Sequence, residues 1–183
     1  LHSLRRRQRQ MCIRDRLTDL EELADIIIID TGAGISPSVM EFLLASPETI
    51  VVTTPEPTSV TDSYALLKAL SMNEGYNKDE CTIKIVANRV ESENEGRNLY
   101  EKLNAVVSKF LGIKLEYLGS VPQDSSVRKA VMKQKPVTIV YPASSAARHF
   151  KRIAADLLGN ENDVPENKKG IRSYFKNVFA RKM

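Results

Sequence analysis

ADIIIIDTGAGIS, residues 24–36, is where the fold becomes legible. Four successive isoleucines are apolar and β-branched at every position, which predicts a strand buried on both faces, as in a parallel sheet. The strand would end on Asp30 and turn through Thr31, Gly32, Ala33 and Gly34. Ser36 then reads as a helix N-cap with Pro37 at the first helical position, opening SPSVMEFLLAS. In open α/β sheets ligands bind outside the C-terminal strand ends, where Asp30 would fall. A carboxylate there can hold Mg²⁺ through its waters, and Gly32 and Gly34 let the backbone approach a phosphate. Taken alone the pattern is weak, because many strands end in a polar residue that only caps the next turn.

The chain on either side strengthens the reading. LTDLEELA (17–24) reads as the end of a helix, and TIVVTT (49–54) as a second buried strand. Residues 58–72 suit a helix, with Val60, Tyr64, Leu67 and Leu70 at near-helical spacing. CTIKIVAN (81–88) is a third strand, 96–111 a longer helix and LEYLGSV (115–121) a fourth strand. SSVRKAVMK (125–133) follows as a short helix, PVTIVYP (136–142) as a brief extended piece, and 144–158 as a further helix. Strands alternating with helices predict right-handed βαβ units, hence an α/β fold with a parallel sheet covered on both faces. GNENDVPENKKG (159–170) is a polar linker, and IRSYFKNVFARKM (171–183) a separate element.

Composition narrows the function classes. A chain of 183 residues, 42% apolar and 27% charged, suits one globular domain with a real core. No apolar run approaches the roughly 20 residues of a membrane-spanning helix. Two cysteines, Cys12 and Cys81, make a disulfide framework unexpected and suit a reducing compartment. The two histidines, His2 and His149, stand apart from them, which disfavours a thiol protease or a structural zinc module. The net charge is +4, but residues 1–16 carry +5 and residues 168–183 carry +6, so residues 17–167 are net −7. The basicity belongs to the ends, and the core lacks the basic, aromatic-interleaved face of a nucleic-acid binder, so no specific nucleic acid is expected. Residues 1–16 match nothing that follows. They read either as a basic arm or as a non-native extension, since MCIRDR resembles translated adapter sequence; the extension is the expectation adopted.

ADIIIIDTGAGIS, TIVVTTPEPTSVTDSYALLKAL, IVANRVES and LGSVPQDSSVRKAVMKQKPV, in that order, resemble the MinD/ParA family of deviant-Walker ATPases, and most closely its flagellar-site branch (FlhG, YlxH or FleN type). The resemblance implies a P-loop NTPase fold binding ATP and Mg²⁺. It makes Asp30 the catalytic, magnesium-holding Walker-B residue and Thr31, Gly32, Ala33 and Gly34 the switch loop that senses the γ-phosphate. It places Asn88 beside the adenine, with Pro122, Gln123 and Asp124 in the loop that closes over the base. Read without the family, Asn88 could cap a helix and Pro122–Asp124 could be a proline turn before an N-cap. The resemblance further implies a homodimer when ATP is bound, a signal-recognition-type flagellar GTPase and basal-body components as partners, and a cytoplasmic protein reversibly attached to the membrane. A division-site or chromosome-partition ATPase is the neighbouring reading.

One departure matters most. No Gly-Lys dipeptide occurs anywhere in the chain, so the family's phosphate-binding loop is missing, with its signature lysine. The expectation is that residues 17–158 are the C-terminal part of the ATPase domain, inactive alone, either as a piece of a switch enzyme or as a partner- and membrane-binding fragment. At the other end the residues speak without the family. Ile171, Tyr174, Phe175, Val178 and Phe179 recur at i, i+3, i+4, i+7 and i+8, one apolar helical stripe. Lys168, Lys169, Arg172, Lys176, Arg181 and Lys182 rim it with no acid. That pattern suits an amphipathic helix on an anionic inner-membrane surface rather than a core edge.

Overall fold

The structure is a computed structural model and describes residues 24–159. The described residues fall into two units, 24–47 and 48–159. In the first, helix α1 (Pro37–Ala45) starts as expected: the Ser36 hydroxyl accepts the Val39 N–H at 3.4 Å and Pro37 occupies the first turn. The Ser46 N–H closes the other end on the Phe42 carbonyl.

The expected strand at residues 24–30 is not formed: it makes no pairing among the described residues, and Ile26 and Ile28 are 56% and 86% exposed. A parallel strand is held by its neighbours' hydrogen bonds and by helices on its faces. Four isoleucines supply the apolar surface but not the ladder.

The second unit begins with β1 (Glu48–Thr53), α2 (Pro57–Ser71), β2 (Thr82–Val90), α3 (Glu93–Leu111) and β3 (Leu115–Pro122). The three strands form a parallel sheet in the order β1-β2-β3, two successive βαβ units. Then come α4 (Ser125–Met132), the single turn α5 (Val137–Val140) and α6 (Ser145–Leu158). On one sheet face α3 packs on β2 and β3, and α2 on β1 and α3. Ala87, Val90 and Leu99 form the core there. On the other face Val86 and Val121 pack against Ala146 and Ile153 of α6. Consecutive β2 residues therefore serve opposite cores, and Ile83, Ile85, Val86, Ala87 and Val90 are all buried.

The edge strand β1 departs from its expectation. Thr49, Val51 and Thr53 are buried but Ile50 and Val52 are exposed, because helices cover only one of its faces. PVTIVYP is also not extended. With no strand beside it among the described residues, Pro136 opens a helical turn closed by the Tyr141 N–H on the Val137 carbonyl at 2.8 Å, and Val137 is buried. Helix α3 starts three residues before the expected Gly96, because Ser92 caps it: its hydroxyl accepts the Glu95 N–H, and the Glu95 carboxylate reaches back to the Glu91 N–H at 2.6 Å.

Candidate functional site

The C-terminal ends of the three strands make one edge, and a break in the sheet register shapes it. Asn88 pairs with Val121 and Val90 with Pro122, so Arg89 is left out of the ladder. Its φ is +58°, a left-handed conformation that costs a residue with a β-carbon about 1–2 kcal/mol. The Asn88 side-chain oxygen accepts the Arg89 N–H at 3.0 Å and stabilises this turn locally. Asn88 thus caps no helix.

The break carries the Arg89 side chain across the edge. Its Nε donates to Gln123 Oε1 at 3.1 Å, and its guanidinium lies 3.4 Å from Glu56 Oε1. The Gln123 N–H donates to the Val90 carbonyl at 2.9 Å. One cation therefore joins the turn after β1, the end of β2 and the turn after β3. The Thr54 hydroxyl, a backbone N–H and Arg89 together hold the Glu56 carboxyl below the usual carboxylate range. The turn after β1 is fixed from below. The Ser59 hydroxyl accepts the Thr54 N–H at 3.0 Å and meets the Thr53 hydroxyl at 3.1 Å.

Asp124 has a different position from a base-facing residue. One carboxylate oxygen accepts the Ser126 N–H at 2.8 Å, capping α4, and the other accepts the Ala146 N–H at 3.1 Å, at the start of α6. Those N–H groups, Ala146 first, lower its pKa. Both oxygens are engaged, so Asp124 is suited to holding the Pro122–Gln123 turn in place rather than touching a ligand itself. Asp124 is thus itself the N-cap of α4, one residue earlier than a turn ending before the cap would place it.

The structure thus brings Asn88, Pro122, Gln123 and Asp124 to one edge of the second unit. Asp30, Thr31, Gly32, Ala33 and Gly34 lie in the first unit, all exposed, and Asp30 makes no hydrogen bond or ion pair among the described residues. Lys168, Lys169, Ile171, Arg172, Tyr174, Phe175, Lys176, Val178 and Phe179 lie outside the described residues. Two participants escaped the sequence reading. Glu56 and Arg89 are opposite charges just after two strands, and only the register break puts them in reach of each other. The strand-ending pair Asn88-Arg89 was the available signal, since asparagine favours turns that tolerate left-handed backbone.

The fold and this strand-end edge define a class that the comparisons identify. No family model matches the chain. It is 39% identical over 158 residues to the antiactivator FleN of Pseudomonas aeruginosa, covering 86% of this chain and 54% of that protein. It is 34% identical over 160 residues to the flagellum site-determining protein YlxH of Helicobacter pylori, covering 85% and 52%. Among solved structures, the septum site-determining protein MinD of Pyrococcus horikoshii, complexed with Mg-ADP, superposes with a TM-score of 0.61 at 21% identity. That match covers 85% of this chain and 58% of MinD, and it speaks for the fold. The chain belongs to the MinD/ParA family. Within it, the chain stands with the flagellar-site branch to which FleN and YlxH give their names. It spans about half the length of these curated relatives.

Proposed function

We propose that this chain is the C-terminal part of an ATP-binding, ATP-hydrolysing switch that regulates flagellum number or placement at the membrane. The observation that carries the reading is the edge where Asn88 and the Pro122–Gln123 turn meet, strapped by Arg89. Those residues fit an adenine better than they fit a phosphate. Asn88 uses its side-chain oxygen locally and keeps its amide N–H groups for a ring nitrogen, while Asp124 anchors the turn behind it. Asp30 would hold Mg²⁺ through water, and Thr31–Gly34 would respond to the γ-phosphate. Bound Mg-ATP would supply the phosphoryl group and the cation that neutralises its charge.

ATP binding would favour a homodimer, and hydrolysis would release it. By family resemblance, the partners are a signal-recognition-type flagellar GTPase and basal-body components. The tail at residues 171–183 would attach the protein reversibly to an anionic inner membrane. A dimer with two tails would bind far more tightly than a monomer, because the second attachment is intramolecular.

The test is Mg-ATP turnover by the full-length protein that carries this chain. Asp30→Ala should lower kcat by several orders of magnitude with little effect on folding. Wild-type turnover in that variant removes Asp30 from the site. The 183-residue chain alone should bind ATP no better than about millimolar, since phosphate and Mg²⁺ contacts supply most of the affinity; micromolar binding by calorimetry would contradict the reading.

A further inference from the structure

We propose that α4 and the turn that follows it form a second membrane contact, a folded apolar and basic knob that meets anionic lipid headgroups directly. The observation is a run of six consecutive exposed residues, Val131–Pro136, which takes in the last two residues of α4 and the turn after it, the helix facing the core on its other side. Ala130 is buried and Val127 packs against the α6 core. At 100° per residue, that leaves Arg128, Lys129 and Met132 on the opposite face, pointing away from the protein. Val131 is 69% exposed and Met132 77%, and on α5 Ile139 is 70% exposed. Three large apolar side chains so far into water on neighbouring elements are costly to leave uncovered, and they sit among four cations, Arg128, Lys129, Lys133 and Lys135.

No acid lies between residues 125 and 136, although the body of the chain is acidic. The nearest carboxylate in sequence, Asp124, is turned inward onto two helix starts and does not offset the patch. Lys133 Nζ lies over the Tyr141 ring, 5.2 Å from its centroid, so an aromatic with a polar tip borders the same surface.

The shape selects the occupant. Side chains about 70% exposed line no groove, so a helical peptide would find nothing to lie in. A bilayer surface suits protruding apolar tips with lysine and arginine heads at headgroup level. This inference rests on the membrane reading above and goes beyond it. The tail alone could leave the folded body free to tumble, whereas this knob would hold it in one orientation on the membrane.

The chain contains no tryptophan, so a single introduced one reports its own surroundings. Met132→Trp replaces an exposed side chain and should fold normally. Met72→Trp, equally exposed at the end of α2, is the control. Each full chain is titrated with vesicles of phosphatidylcholine containing 30% phosphatidylglycerol, with and without brominated acyl chains. Bromine quenches only on contact, so aggregation cannot mimic insertion. The expected result is at least twofold quenching at position 132 and none at position 72, lost with pure phosphatidylcholine or at 1 M salt. Met132→Glu should weaken vesicle binding about tenfold. Co-sedimentation of the chain with an unquenched Trp at 132 overturns the proposal and leaves the tail reading standing. If Phe175→Glu leaves binding intact but Met132→Glu removes it, the tail reading falls and the knob stands. If vesicles leave position 132 unchanged but a synthetic Glu- and Leu-rich helical peptide shifts its emission, the patch is a protein-docking site and the proposal is overturned.

Discussion

Gly96→Ala sets a local rule against a tertiary one. Gly96 lies within helix α3, where replacing glycine by alanine ordinarily stabilises by about 1 kcal/mol. Here α3 rests on β2 and β3, and a β-carbon at 96 would come within 2.9 Å of Ser120 Cβ, 3.0 Å of Tyr117 Oη and 3.3 Å of Ala87 Cβ. Ordinary carbon contacts are about 3.5–4.0 Å. Two of these neighbours are β-carbons fixed to the backbone of adjacent strands and cannot rotate away. The helix itself must lift, and overpacking of this kind costs about 1–3 kcal/mol. The net expectation is a loss of about 1 kcal/mol, the overpacking cost less the helix-propensity gain. With an m-value of about 2 kcal/mol/M, urea denaturation should show a midpoint lower by about 0.5 M at constant m. Ser120→Gly in the Gly96→Ala background should recover part of the loss. Ser120→Ala should relieve none of the clash, because it keeps the offending carbon; the same substitution in the wild-type background reports what loss of the buried Ser120 hydroxyl, without a hydrogen-bond partner among the described residues, contributes by itself. A Gly96→Ala protein with a higher midpoint than wild type would refute this packing of α3 on the sheet.

Three further outcomes are expected. Asp124→Asn should cost about 1–2 kcal/mol, because an amide nitrogen cannot accept the Ala146 N–H and the charge at two helix starts is lost. The Asp124 pKa is depressed in the folded state, so its stabilisation is present above the unfolded value and fades as the pH falls below about 4; acid unfolding of Asp124→Asn should be flatter there than that of wild type. Arg89→Gly should leave the melting temperature almost unchanged, since glycine relieves a left-handed backbone while only an exposed ion pair and one hydrogen bond are lost. Its effect should appear locally, as hydrogen exchange at the Gln123 amide at least fivefold faster; unchanged exchange would mean that Arg89 does not hold the turn after β3. Finally, Ile50→Lys with Val52→Lys should improve the solubility of the 183-residue chain in sedimentation assays without lowering its stability, because both side chains lie on the uncovered face of β1.

The sequence alone determined whatever depends on neighbours in the chain. The Ser36 cap, the Pro37 start, α2, α6 and three of the four expected strands follow from caps and periodicity, which act within one turn or one ladder. Motif wording likewise placed the chain in its family. Tertiary structure decided what depends on distant partners. Among the described residues ADIIIID has the apolar surface of a strand without its ladder, and PVTIVYP has strand-forming residues but no strand beside it and closes into a turn. Arg89 could be read as one exposed cation among many until the register break carried it between Glu56 and Gln123. Asp124 was legible only as the end of a proline turn; the structure makes it the cap of α4, and its second oxygen reaches a helix start 22 residues further on. A local pattern states what a residue can do; which groups complete it depends on where the rest of the chain has folded.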